Sequence, residues 1–305
     1  MINDNKEINA NYQKELLEKA NKIAEKALIR FYEKLGLDSK LCTDVNNINP
    51  KIGECPIRYG KKALAHYDTA YDEITIDTDY LNKMTKSIIN APAQLKEKQD
   101  AIVAYNIAAT IIHERIHALR RIRTPKNIIP IENYYSLARN TYINEFGESA
   151  DYTIPCDVLL DIHSSITDPK DLCDILTQQD CLEDAVTEAL AQIITYNAVD
   201  KFSNLSINQL ANKVMKDESD FIVAGAKIVQ TMDENMLTNF ITTRYQKTPY
   251  QDLFYEMFAE NYYILLSDIE QITIAANNKD FPPKNILEEF DKIILSYKTK
   301  NNKTL

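Results

Sequence analysis

Two of the four histidines lie in the stretch TIIHERIHAL (residues 110–119), where His113 and His117 stand four positions apart and Glu114 directly follows the first. Residues i and i+4 of a helix share a face, so both imidazoles can reach one ion, and zinc prefers neutral imidazole nitrogens. Glu114 is turned about 100° from His113. Its carboxylate therefore falls beside such an ion rather than on it, where a general base for a zinc-bound water has to be. The bland alternative is three polar residues on the wet side of an amphipathic helix. Against it, the flanking AATII, Ile116, Ala118 and Leu119 are apolar nearly all round. That predicts a buried helix, and charge buried without a partner is costly. The expected site is Zn2+ held by His113 and His117, with Glu114 catalytic and a third ligand from elsewhere.

The elements that must position these residues are mostly helical. Residues 7–35 carry Ile8, Leu16, Leu17, Ile23, Leu28 and Phe31 at helical spacing, with Gly36 as the stop. Residues 40–62 hold proline, glycine and asparagine without periodicity and read as loop. YDEITIDTDYL (71–81) alternates Ile74 and Ile76 with polar neighbours, the period of a half-buried strand. A long helix is predicted from the region of Gln94–Asp100 to about Arg123, ended by Thr124 and Pro125. The polar, proline-punctuated residues 125–180 read as loop with short helices. Asp180 and Glu183 spell a capping box for a helix over 180–199. A further helix is expected over 206–235, and a last helical block starts at Thr248, Pro249 and Gln251.

Composition excludes several classes. Hydrophobic residues are 45% and charged residues 26% of 305, a globular balance rather than a disordered one. A net charge of -10 supplies no cationic footprint for nucleic acid; the one basic run, Arg120, Arg121 and Arg123, suits a helix C-terminus. Five glycines are too few for either a Walker-type or a dinucleotide phosphate loop. The five cysteines form no CxxC pair and read as reduced thiols, although Cys42 and Cys55 could pair in an exported protein. The N-terminus has no apolar core for a signal peptide. The longest apolar stretch, Ala101–Ile112, is far short of the roughly 20 residues that span a bilayer. The expectation is a soluble protein, cytoplasmic or exported without a classical signal peptide.

With His113-Glu114-Arg115-Ile116-His117 as an HExxH motif, the chain resembles the zincin metallopeptidases. The resemblance spans roughly residues 65–200 in organisation and is specific only at the motif. It implies a helix packed behind a sheet whose edge strand aligns an extended substrate, here DEITIDTDYL. No HxxGxxH extension follows His117, so the third ligand comes from elsewhere, which makes the chain similar to gluzincins. In that group the ligand is an acid on a later helix, with another acid four positions on that orients a ligand histidine.

Two segments have that form. LEDAVTEALAQ offers Asp184 and Glu188, with Gln192 a turn later, and YEMFAEN offers Glu256 and Glu260, with Asp252 a turn earlier. Carboxylates at i and i+4 repel by a few tenths of a kcal/mol on an exposed helix unless a cation sits there. DAVTEALA lies nearer the motif and resembles the third-ligand helix of small bacterial zincins, although that helix usually has glutamate at the position of Asp184. Either Asp184 or Glu188 is then the metal ligand, and Glu256 and Glu260 are the alternative metal or outer-sphere pair. Tyr245, shortly before the second acidic segment, is a candidate oxyanion donor, as less strongly is His163; His66 is assigned nothing.

The fold expected is mainly α (α+β) and zincin-like. An N-terminal lobe (1–124) carries a small β-sheet and the active-site helix, and a helical C-terminal lobe (125–305) supplies the third zinc ligand. The activity expected is that of a zinc metallopeptidase acting on a peptide or protein, with Glu114 taking a proton from a zinc-activated water. The alternatives are a non-catalytic zincin-fold binding or effector module and a metal-dependent hydrolase of a non-peptide substrate.

Overall fold

A computed structural model describes residues 2–58, 61–68, 71–120, 169–242 and 253–301. The chain divides into two compact units, one of Met1–Ala118 with Ala191–Leu205, the other of Leu119–Leu190 with Ser206–Leu305. Most of the described residues are helical, and a small three-stranded sheet accompanies them.

The first unit opens with helix α1 (Ile2–Lys34). Leu16, Leu17, Ala20, Ala24, Ala27, Leu28 and Phe31 recur at three- and four-residue steps and are all buried. Gly36 ends it with φ +68, and the Leu37 N–H returns to the Tyr32 carbonyl at 2.9 Å. This is the left-handed stop that a side chain would strain.

Residues 40–62, expected as loop, instead contain helical turns (Ser39–Cys42 and α2, Thr43–Asn46) and three short strands: β1 (Lys51–Gly53), β2 (Ile57–Arg58) and β3 (Lys61–Lys62). Each is too short to show a periodicity, which is why sequence pattern missed them. β4 (Ala65–Asp68) and β5 (Glu73–Asp77) complete the set.

β5 buries Ile74 and Ile76 as its alternation predicts, but it ends at Asp77 rather than running on to residue 81. The Asp77 carboxylate accepts the N–H groups of Asp79 (2.9 Å) and Tyr80 (3.1 Å) and so caps α3 (Thr78–Ile89). The sheet order is β1-β5-β4, with β1 parallel and β4 antiparallel to β5. β5 is therefore the central strand, and the edge-strand role expected of it is corrected: both its sides are already paired.

Asp77 also receives Lys62 Nζ at 3.0 Å and the Cys55 N–H at 3.4 Å, tying β3 and the chain after β1 to the start of α3. Burial by itself would raise its pKa. The Lys62 ammonium and the backbone N–H groups of Tyr80, Cys55 and Asp79 outweigh it and hold the carboxyl below its ordinary value. Cys42 and Cys55 are buried free thiols, so the pairing considered for them is absent.

α4 (Lys96–Arg120) carries the HExxH motif and is buried nearly all round from Ile107 to Leu119. α5 (Pro169–Ala198) begins well before the Asp180 cap expected from the sequence, with Pro169 first, where its missing N–H costs no hydrogen bond. Asp180 is thus interior to a helix. The helix expected over 206–235 is three: α6 (Ile207–Asp217), α7 (Asp220–Val229) and α8 (Glu234–Thr242). Ser206 and Gln209 form the capping box that starts α6.

α9 (Leu253–Phe258), α10 (Tyr262–Asn278) and α11 (Lys284–Asn301) follow, and α10 buries Leu265, Leu266, Ile269 and Ile272. The start signal at residues 248–251 lies outside the described residues. Among the described residues no helix is long and apolar enough to cross a membrane.

Candidate metal centre

The HExxH turn of α4 places His113 and His117 one above the other, with ring centroids 4.7 Å apart and Nε2 facing Nε2 at 3.0 Å. Two nitrogens bound tetrahedrally to zinc at 2.0–2.1 Å lie about 3.3 Å apart. The pair therefore already stands close to the bite of a single ion, set by helix geometry alone. His117 is buried and His113 half-buried.

Asp184 of α5 joins them. One ligand atom from each of His113, His117 and Asp184 lies within 4.8 Å of the other two. Oxygen and nitrogen ligands of one tetrahedral ion lie about 3.3 Å apart, so the group is wider than a closed site. Two imidazoles and one carboxylate are a donor set that suits zinc and leaves a coordination position open.

Glu188 lies one helical turn beyond Asp184 and is half-buried. It is not within the group of three. Glu114 is buried to 7% exposure, on the turn between the two histidines. Its charge reaches the sheet: the Cys55 thiol is pushed up to about 12, first by burial and then by the carboxylates of Asp77 and Glu114.

The second acidic segment is built differently. α9 stops at Phe258, and Ala259 follows with φ +43. Glu260 sits on the short 3-10 turn Ala259–Asn261, exposed, with Lys300 Nζ 3.4 Å away. Glu256 falls on α9, and its side chain is outside the description, as are Tyr245 and His163. His66 lies on β4 and is buried.

Two residues that the sequence reading passed over bear on the centre. Gly225 of α7 lies against α5 so closely that a Cβ built there would overlap the carbonyl group of Ala185. It thereby sets the depth at which α7 meets the residue next to Asp184. An isolated glycine inside an otherwise apolar helical run, FIVAGAKIV, was the available signal. Arg115, between Glu114 and Ile116, is fully buried. Burial lowers its pKa to about 10 while the Glu25 carboxylate works the other way, so it is a cation at neutral pH. A charged residue amid the apolar flank of HERIH was its signal.

No protein family model, no curated protein and no solved structure matches this chain.

Proposed function

We propose that the chain is a zinc-dependent metallopeptidase in which His113, His117 and Asp184 hold the ion and Glu114 is the general base. The observation that carries this reading is the approach of three ligand atoms from those residues to within 4.8 Å of one another, with the Nε2 atoms 3.0 Å apart. When bound, the metal supplies Lewis acidity toward a substrate carbonyl and lowers the pKa of a water.

The protein's own part is distinct. Glu114 stands on the same helical turn and accepts the proton that the water loses, then returns it to the leaving nitrogen. Burial keeps bulk water from screening that exchange. An extended peptide would pair with β1 or β4, the strands that end the three-stranded sheet, since β5 is central. Glu188 is the residue available to steady a ligand histidine from one turn further along α5.

The central position of β5 favours keeping one competitor, a metal-dependent hydrolase of a non-peptide carbonyl substrate, because it removes the strand first expected to read a peptide. A binding-only module would have no use for the buried Glu114.

Metal analysis and one substitution test the proposal. Purified protein supplied with zinc should carry about one ion per chain. Glu114→Gln should retain that ion and lose nearly all cleavage of a mixed peptide pool, because an amide keeps the shape but cannot take the proton. A parent protein without metal overturns the centre, and a Glu114→Gln variant as active as the parent overturns the base. A metal-loaded parent that cleaves esters or amidated sugars but no peptide selects the competitor.

A further inference from the structure

Arg115 is the largest fully buried side chain among the described residues, and it lies at the middle of the motif. It is two positions from each histidine, hence about 200° around the helix from both, on the opposite side of α4 from the pair. Its Nη2 donates to three acceptors: Asn21 Oδ1 of α1 at 2.7 Å, the Asn46 carbonyl at 3.1 Å and the Ile48 carbonyl at 3.4 Å. The last two belong to the segment that leads from α2 into β1. Asn21 is itself held, donating from Nδ2 to Glu25 Oε1 at 2.9 Å, and that same oxygen lies 4.0 Å from Nη2. Arg115 Nε and Nη1 find no acceptor among the described residues.

Stability does not account for such a residue. A buried cation with incomplete hydrogen bonding is commonly less favourable than an apolar side chain of similar length. What the guanidinium adds is direction. Apolar packing is non-directional and restrains a helix's rotation through shape alone, whereas three acceptors from two separate elements add a directional restraint on one azimuth. A turn of about 10° moves an imidazole carried some 6 Å from the axis by about 1 Å. Metal–ligand bonds tolerate only about 0.2 Å. The azimuth of α4 is therefore a quantity the metal centre depends on, and Arg115 is the polar contact that sets it from the back of the same turn.

We infer that Arg115 is a positioning residue: by gripping Asn21 and the 46–48 carbonyls it holds the HExxH turn at one rotation, so that the His113–His117 pair, whose mutual spacing the helix itself sets, faces the ion's remaining ligand. This rests on the zinc reading above.

The test compares parent, Arg115→Met and Asn21→Ala for thermal midpoint, zinc affinity by chelator competition, and the visible spectrum of bound Co2+, which reports ligand geometry without any need for activity. Arg115→Met is expected to keep or raise the midpoint, weaken zinc binding by about 10-fold or more, and change the cobalt bands. Asn21→Ala, which removes the shortest of the three contacts, should shift both metal readouts in the same direction by less.

A merely structural role would lower the midpoint and leave the spectrum of the folded fraction unchanged. Zinc affinity and cobalt spectrum equal to the parent's in Arg115→Met overturn the inference while leaving the zinc reading intact. Should Arg115→Met fail to fold, Asn21→Ala decides alone, and a spectrum equal to the parent's overturns the inference. A parent that binds neither ion overturns both.

Discussion

The segments DAVTEALAQ (184–192) and DLFYEMFAE (252–260) share the spacing DxxxExxA, yet they end as different objects. In the first, all nine residues lie within one unbroken helix, α5, and Asp184 comes to the two histidines. In the second, α9 ends at Phe258, Ala259 takes φ +43, and Glu260 turns out to solvent beside Lys300. The alanine that closes the shared pattern makes the difference visible. Ala191 is fully buried inside its helix, while Ala259 is exposed in a left-handed conformation that disfavours any residue with a Cβ. A repeated spacing of acids is thus informative only as long as the helix that carries it remains continuous.

The comparison is broken most severely at the acids themselves. Asp184→Ala should lower zinc retention by more than 100-fold, beyond the 10- to 100-fold typical of an outer-sphere partner, which is the range expected for Glu188→Ala. Glu260→Ala should leave retention unchanged and alter stability by about 0–1 kcal/mol, the ordinary worth of an exposed ion pair. Metal content after dialysis against a graded chelator measures all three. Zinc lost from Glu260→Ala and kept by Asp184→Ala would exchange the roles of the two segments.

A smaller effect probes what holds the first segment in place. Gly225→Ala inserts a methyl group where the Ala185 carbonyl already is, so α5 and α7 have to part. Denaturant unfolding should register a loss of about 1–3 kcal/mol, the usual range for overpacking. Zinc affinity should fall with it, because the displaced residue adjoins Asp184. An unchanged unfolding midpoint would mean that the close approach has no role.

The smallest effect has opposite signs in the two segments. Ala191→Gly should destabilise by about 1 kcal/mol through lost helix propensity, with more from the buried methyl group. Ala259→Gly should stabilise by about 0.5–1 kcal/mol, since glycine adopts a positive φ without strain. Paired thermal or urea melts suffice, and a stabilisation by Ala191→Gly or a loss at Ala259→Gly would contradict the account of either backbone.

Much of the helical framework was legible because it is written in local periodicity. α1 follows its apolar spacing and stops at Gly36, α4 carries the motif as expected, and Ile74 and Ile76 face the core from β5. The misreadings share a cause. The end of β5 depends on a cap, Asp77, whose partners are Tyr80 and Asp79 on one side and Lys62 and Cys55 on the other. The central place of β5 depends on β1, a three-residue strand with no pattern of its own. Asp180 and Glu183 spell a helix start locally, yet α5 begins at Pro169 and holds Asp180 in its interior.

The sequence by itself determined the pairing of His113 with His117 and the place of Glu114 between them, because four residues along an α-helix return a side chain to the same face whatever surrounds it. Which acids come near that pair depends on tertiary structure, which among the described residues brings a carboxylate oxygen of Asp184 within 4.8 Å of both imidazoles. Asp184 and Glu256 begin or continue identical spacings, and nothing local separates them. What differs between the two segments is the backbone around them: α5 runs unbroken through the first, whereas α9 ends at Phe258 and Ala259 takes φ +43, and Gly225 sets how closely α7 approaches Ala185.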